Sequence, residues 1–147
     1  FKDLFRAHGE SYDVSRVMDM LNLVHLTDGE RILQSYPFQL SGGMQQRLAI
    51  ALSLILKPSI VFADEPTSAL DMLVQASVLD LMKEVTQALG ATVIIVTHNI
   101  KAAARIANSI GVMNKGQLVE VGSTEEVMAH PKDEYTRILL DSVTKVV

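Results

Sequence analysis

The spacing of hydrophobic residues changes near the middle of the chain. Residues 1–57 carry them at helical intervals, and this part is predicted to be helical. Asp13 and Ser41 are suitable N-caps for two helices, and "TDGE" (27–30) has the spacing of a capping box that opens a third. The predicted inward faces are Val14, Val17, Met18 and Leu21 on the first helix, and Leu48, Leu52 and Ile55 on the helix from Ser41 to about Leu56.

After Pro58 the pattern alternates between strands and helices. "SIVFADE" and "TVIIV" (92–96) are short apolar runs separated by a long helix, predicted from Met72 to Leu89 with Asp71 as N-cap and Gly90 at its end. A crossover helix of this length predicts that the two strands are parallel, and "TVIIV" is expected to be buried on both faces. The predicted inward residues of the helix are Val74, Val78, Leu81, Met82 and Val85.

The last third of the chain predicts a helix at 100–107 and then a hairpin. Its strands are "SIGVM" and "QLVEV" around the turn "NKGQ". Ser123 and Glu126 have the spacing of a second capping box, and a final amphipathic helix carries Tyr135, Ile138, Leu139 and Val143. The predicted fold class is α/β, with a helical part at 1–57 followed by the later part of a mostly parallel sheet with flanking helices at 58–147.

Composition narrows the possible functions. The formal net charge is -4 and aromatic residues make up 5% of the chain, so a nucleic-acid partner is not expected. The chain has no cysteine, which excludes disulfides, zinc fingers and cysteine-held iron–sulfur clusters within it. No apolar run reaches the length that a transmembrane helix requires.

Ionisable residues follow both predicted parallel strands. Asp64 and Glu65 end the first strand, and His98 lies just beyond the second. Because ligands of parallel sheets bind beyond the carboxyl ends of the strands, one carboxylate is a candidate for Mg²⁺ and its neighbour for activating a water. His98 is a candidate for binding a phosphate or that water. The alternatives are a solvated strand end and a histidine bound by nearby backbone.

"LSGGMQQR" (40–47) is a candidate phosphate-binding segment. Ser41 provides a hydroxyl donor, and Gly42 and Gly43 leave the N–H groups of a helix N-terminus open to an anion. An ordinary turn before a helix is the alternative, although it gains nothing from two glycines. The chain contains no Gly-Lys pair, so the phosphate loop G-x-x-x-x-G-K-[ST] is absent from it.

Together these segments resemble the ABC-type ATPases. "LSGGMQQR" is similar to their signature motif, "IVFADEPTSALD" to the Walker B motif and D-loop, and "IIVTHN" to the switch-histidine segment. The segments "YPFQLSGG" and "HPKDEYTRILLDSV" are similar to the branch that imports peptides and nickel. The resemblance implies a P-loop NTPase-type fold in which this chain is the C-terminal part of a subunit.

The resemblance also implies residue roles. Asp64 would coordinate Mg²⁺, Glu65 would act as general base or polarise the attacking water, and His98 would contact the γ-phosphate of ATP. The segment Ser41-Gly42-Gly43, with Gln45 nearby, would bind the γ-phosphate of the ATP held by a second subunit. Asp71 would contact that second subunit across the dimer interface.

Function and partners follow from the same resemblance. The intact protein is expected to be a peripheral ATPase at the cytoplasmic face of the membrane. Its expected partners are an identical or sister ATP-binding subunit, the transmembrane permease subunits and, indirectly, an extracytoplasmic solute-binding protein. The chain alone is expected to be inactive and to expose part of an apolar sheet surface. An ABC-type ATPase outside transport and a non-catalytic truncated interaction fragment are the alternatives.

Overall fold

The computed structural model describes residues 1–68 and 70–144, without the side chains of residues 143 and 144. It divides into two compact units, Phe1–Val96 and Thr97–Val147. Both contain helices and strands, which confirms the α/β class. The predicted boundary after residue 57 concerns the subdomains of a complete subunit and stays a prediction.

The first unit combines helices with one pair of parallel strands. Ile60 pairs with Thr92 and Asp64 with Val96, so the predicted parallel crossover is confirmed. The elements are helices α1 (Lys2–Ala7), α2 (Val14–Leu23) and α3 (Gly29–Gln34), a 3₁₀ turn (Pro37–Gln39), helix α4 (Gly42–Leu54), strand β1 (Ile60–Asp64), helix α5 (Met72–Leu89) and strand β2 (Thr92–Val96).

Local capping residues define most helix starts in this unit. The side chains of Asp13, Ser41 and Asp71 accept hydrogen bonds from first-turn N–H groups, as predicted for all three. The capping box predicted at residues 27–30 is wrong. The N-cap of α3 is Asp28, one residue after Thr27, and it makes no side-chain cap; its Oδ2 accepts a hydrogen bond from Arg31 Nε at 2.7 Å.

The core of the first unit lies between α2, α4, α5 and the inner face of the strands. Val78, Leu81, Met82 and Val85 of α5 are buried as predicted, while Val74 is half-buried. Two predicted faces are shifted, because neighbouring helices rather than the apolar stripe alone decide which arc of a helix is covered. Met20 is buried in α2 while the predicted Val14 is exposed. In α4 the buried residues are Ile50, Ala51 and Leu54, followed by the predicted Ile55 at the C-cap, whereas the predicted Leu48 and Leu52 are half-buried and Leu48 packs against the core.

The parallel strands are covered on one face only, and the residues of that face are half-buried. Val93 and Ile95 pack on the core, whereas Ile94 and Val96 point to the opposite face beside Phe62 of β1, whose side chain is 76% exposed. The expectation that "TVIIV" is buried on both faces is therefore wrong, because within the described residues only the inner face has helices against it. The expected exposed apolar surface is confirmed.

The second unit is built around the predicted hairpin. Its elements are α6 (Ile100–Ile106), β3 (Ser109–Asn114), β4 (Gln117–Ser123), α7 (Thr124–Ala129) and α8 (Glu134–Thr144). The strands are antiparallel, and Lys115 and Gly116 form the turn with φ values of 49° and 79°.

Helices α7 and α8 complete the second unit. The capping box of Ser123 and Glu126 is confirmed at the start of α7. On α8, Ile138 is exposed and Leu139 is half-buried, while the side chain of Val143 lies outside the described residues. Throughout the described parts of both units, every helix is too short or too polar to cross a membrane.

Candidate functional site

Ser41 caps the exposed N-terminus of α4. Its hydroxyl accepts a hydrogen bond from the N–H of Met44 at 3.3 Å. The N–H groups of Gly42 and Gly43 belong to the first helical turn, where an α-helix has no acceptor of its own. Gly42 is exposed and Gly43 is half-buried. The helix end thus combines a hydroxyl, backbone donors and the positive end of a helix dipole, which suits an anion.

The two glycines have different surroundings on the protein side. A Cβ on Gly42 would lie 3.5 Å from Leu70 Cδ2, which is ordinary van der Waals contact, whereas a Cβ on Gly43 would lie 3.2 Å from Val74 Cγ1. Gly43 therefore also allows α4 to pack closely on the start of α5. Residue patterns near Gly43 do not indicate this second reason, because it depends on Val74, 31 positions away in the chain.

Arg47 is a residue of this region that the sequence did not single out. It lines an open groove between the starts of α4 and α5, together with Ser41 and Gly43. Its Nη2 donates to Ser77 Oγ at 3.0 Å, which fixes the guanidinium between the two helices. Arg47 adds a positive charge to the groove beside the N-terminus of α4.

Gln45 connects α4 to the segment before it. Its Nε2 donates to the carbonyl oxygens of Pro37 at 2.7 Å and Leu40 at 3.0 Å. Both amide protons are thus used within the chain, and Gln45 holds the turn that leads into Ser41.

The two carboxylates lie at the carboxyl end of β1, as predicted. Asp64 is the last strand residue and is exposed, while Glu65 is half-buried with a φ of 44°. The N–H of Glu65 donates to the carbonyl of Val96 at 2.9 Å, which continues the pairing of β1 with β2 by one bond. A left-handed conformation costs about 1–2 kcal/mol for a residue with a side chain. Such strain clusters at functional sites, where the surrounding structure holds it in place.

Asp71 is the N-cap of α5. Its Oδ1 accepts a hydrogen bond from Val74 N–H at 3.0 Å and caps α5. Gln75, which the sequence reasoning missed, donates through Nε2 to the carbonyls of Thr67 at 2.9 Å and Leu70 at 3.0 Å. The available signal was its spacing, since Gln75 follows its N-cap by four residues as Gln45 follows Ser41.

His98 belongs to the second unit, two residues after the end of β2, and it is exposed. Next to it, Thr97 Oγ1 accepts from the N–H of Asn99 at 3.1 Å, and Asn99 Oδ1 caps α6 through the N–H of Ala102 at 3.1 Å. The loop around His98 is therefore held by local hydrogen bonds. Its predicted meeting with Asp64 and Glu65 stays a prediction.

The described residues of the first unit provide the two kinds of group that phosphate chemistry requires. Backbone and hydroxyl donors lie at Ser41, and carboxylates lie at Asp64 and Glu65. No group of three or more histidine, aspartate or glutamate side chains converges on a possible metal position in the described part of the chain. An exposed carboxylate such as Asp64 fits Mg²⁺, which keeps several waters and uses one or two protein carboxylates.

Comparison with known proteins places these residues in a family. The sequence profile described as "ABC transporter" matches residues 3–68. The dipeptide transport ATP-binding protein DppD of Caldanaerobacter subterraneus is 44% identical over 99% of this chain and 46% of its own length. The oligopeptide transport ATP-binding protein OppD of Lactococcus lactis is 41% identical over 96% of this chain and 43% of its own length.

A third relative comes from a metal transport system. The metal-staphylopine import system ATP-binding protein CntD of Staphylococcus aureus is 42% identical over 88% of this chain and 48% of its own length. The chain belongs to the ATP-binding proteins of the ABC transporter family, which confirms the resemblance found in its motifs. It spans less than half the length of these relatives.

Proposed function

We propose that this chain is part of an ATP-binding subunit that hydrolyses ATP to drive solute import, with peptides or metal chelates such as nickel complexes as cargo. The names of the dipeptide, oligopeptide and metal-staphylopine relatives support this cargo class. The observation that carries the proposal is the end of β1, where Asp64 is open to solvent and Glu65 is held in a strained conformation by the next strand.

The proposed reaction is attack of water on the γ-phosphorus of ATP. A bond forms between the water oxygen and phosphorus, and the bond from phosphorus to the oxygen that bridges to ADP breaks. Glu65 accepts or attracts the proton that the water gives up, and His98 contacts the γ-phosphate. Asp64 is the residue that would hold Mg²⁺, which supplies positive charge beside the phosphate oxygens when bound.

The N-terminus of α4, with its hydrogen-bond donors, binds a different nucleotide in this proposal. Ser41, Gly42 and Gly43, with Gln45 supporting them, bind the γ-phosphate of ATP that is held by a second subunit, identical or sister, arranged head to tail. Asp71 contacts that subunit at the same interface. ATP then favours the closed dimer, because it touches both subunits only in that state.

The remaining partners are proposed from the transport function. Closure of the dimer would drive transmembrane permease subunits, which receive solute from an extracytoplasmic binding protein. The subunit would lie peripherally at the cytoplasmic face of the membrane. The chain by itself is proposed to be inactive, since it contains no phosphate loop sequence.

Replacing the proposed base tests the reaction directly. Glu65→Gln in the full-length subunit should lower the ATPase kcat by roughly 10²–10⁴-fold, because the amide cannot accept the proton. ATP binding, measured with a fluorescent nucleotide, should stay close to that of the wild type. Glu84→Gln is the matched control, since Glu84 is exposed on α5. Hydrolysis at the wild-type rate in the Glu65 variant contradicts the assigned role.

Substitution of a glycine tests separately whether the N-terminus of α4 binds a phosphate. Gly42→Ala leaves ordinary contact distance to Leu70, so the free energy of unfolding should change by less than about 0.5 kcal/mol. The added methyl group nevertheless stands where a phosphate must approach the backbone, and kcat should fall by roughly 100-fold. Urea unfolding and steady-state ATPase assays measure the two effects. Unchanged turnover at unchanged stability shows that no phosphate approaches this glycine.

A further inference from the structure

The starts of α4 and α5 share a hydrogen-bonding arrangement. In each helix a glutamine lies four residues after the N-cap, Gln45 after Ser41 and Gln75 after Asp71. Each carboxamide donates both protons backwards, to the carbonyl one residue before the N-cap and to the carbonyl four residues before it. The distances are 3.0 Å and 2.7 Å for Gln45, and 3.0 Å and 2.9 Å for Gln75.

The arrangement has a clear physical role. The carbonyl one residue before each N-cap lies outside the helical hydrogen-bond ladder and needs a donor from elsewhere. The carbonyl four residues before the N-cap already accepts a hydrogen bond within the turn and takes a second one from the glutamine. A carboxamide supplies two donors in a fixed plane, so it can hold two carbonyls of a turn in one orientation. Gln75 is half-buried and Thr67, one of its acceptor residues, is buried. These bonds are therefore partly shielded from competing water.

The turn held by Gln75 runs from the carboxylates to the D-loop aspartate. The N–H of Ser68 donates to the carbonyl of Glu65 at 3.2 Å, and the N–H of Leu70 donates to the carbonyl of Thr67 at 3.1 Å. Gln75 then joins Thr67 and Leu70 to α5. A continuous series of hydrogen bonds thus connects helix α5 to the backbone of Glu65.

Glu65 needs such support, because its φ of 44° is unfavourable for a residue with a side chain. On its strand side the N–H is held by Val96. On its loop side the carbonyl is held by Ser68, whose position depends on the turn that Gln75 fixes.

We propose that Gln75 is a positioning residue for hydrolysis: its carboxamide fixes the carbonyls of Thr67 and Leu70 and thereby orients Glu65 and Asp71, as Gln45 fixes the carbonyls of Pro37 and Leu40 before Ser41. The catalytic part of this inference rests on the proposed function. Gln75 itself touches neither nucleotide nor water in this assignment.

Gln75→Glu in the full-length subunit is the test. The substitution keeps the length and shape of the side chain but removes both N–H donors and places a carboxylate beside two carbonyl oxygens. A negative charge near the N-terminus of α5 is favourable for the helix itself, so helix loss does not explain an effect. Gln87→Glu, at an exposed position of the same helix, is the matched control.

Two measurements are expected to change together. The kcat for ATP should fall by about tenfold to 100-fold while KM changes less than about twofold, because the reacting groups shift and the nucleotide contacts remain. Hydrogen–deuterium exchange at the N–H groups of Ser68 and Leu70 should become faster. Exchange at Val78 and Val85 should remain as in the wild type, and Gln87→Glu should alter neither readout.

The outcomes separate this inference from the proposed function. Unchanged exchange at Ser68 and Leu70, or an unchanged kcat in an active enzyme, overturns the positioning role. Faster exchange along the whole of α5 also overturns it, since that result describes general unfolding. A wild-type subunit that binds but never hydrolyses ATP refutes the proposed function and, with it, the catalytic part of this inference.

Discussion

Helices α4 and α7 both have a serine as N-cap, Ser41 and Ser123, but they differ in the residues that follow it. At α7, Ser123 is followed at the third helical position by Glu126, whose Oε2 accepts from the Ser123 N–H at 3.1 Å and from its Oγ at 2.9 Å. At α4, Ser41 is followed by Gly42, Gly43 and Met44, so the same position carries a thioether. One helix supplies its own carboxylate to its first turn, and the other does not.

The difference shows how the sequence distinguishes a structural cap from a candidate binding site. Both serines accept from the N–H of the third helical residue, at 3.2 Å in α7 and 3.3 Å in α4. Only α4 then leaves its N-terminal dipole without an acidic residue in the first turn. The binding interpretation of α4 therefore depends on a missing carboxylate as much as on the glycines.

Giving α4 the pattern of α7 should have the largest effect. Met44→Glu in the full-length subunit creates a capping box at Ser41. The new carboxylate would occupy the region proposed for the γ-phosphate and would repel the phosphate by its negative charge. The ATPase kcat/KM should fall by roughly 100-fold or more, comparable with the loss of an electrostatic contact to the reacting group. Steady-state hydrolysis measures this loss.

A neutral variant controls for the size and shape of the new side chain. Met44 is half-buried against the core, so any polar replacement carries some packing cost. Met44→Gln has nearly the same shape as Met44→Glu and no charge, and it should retain most of the activity. Equal losses in the two variants would assign the effect to packing and remove the argument for an anion site at α4.

Much of the local structure follows from the sequence. The caps at Asp13, Ser41, Asp71 and Ser123 and the end of α5 at Gly90 are decided by residues within a few positions of one another. The parallel pairing of β1 and β2 also followed, from apolar runs joined by a helix of suitable length.

Features that depend on distant parts of the chain were not predicted. Burial of Met20 in place of Val14 depends on how α2 lies against its neighbours, and exposure of Ile94 depends on what covers the sheet. The bonds from Gln45 and Gln75 depend on the orientation of carbonyl groups in turns, which residue patterns do not record. The roles assigned to Asp64, Glu65 and His98 remain predictions from the family motifs.

Neutralising Glu126 in the capping box of α7 should have the smallest effect, a pH-dependent change in the free energy of unfolding. Hydrogen bonds from the hydroxyl and the N–H of Ser123 lower the pKa of Glu126. A carboxyl group whose pKa is lowered by folding stabilises the folded state at pH values above the ordinary pKa of glutamate. This stabilisation is lost as the pH falls through the folded-state pKa. Glu126→Gln should therefore reduce stability slightly at neutral pH, and the difference from the wild type should shrink in acid.

Glu120 has a pKa that is lowered mainly by the N–H of Lys132, and it is present in both proteins. Its contribution to the pH dependence of stability therefore cancels in the comparison. Urea unfolding at neutral and acidic pH measures the difference, and a gap that stays constant across this range contradicts a charged capping box.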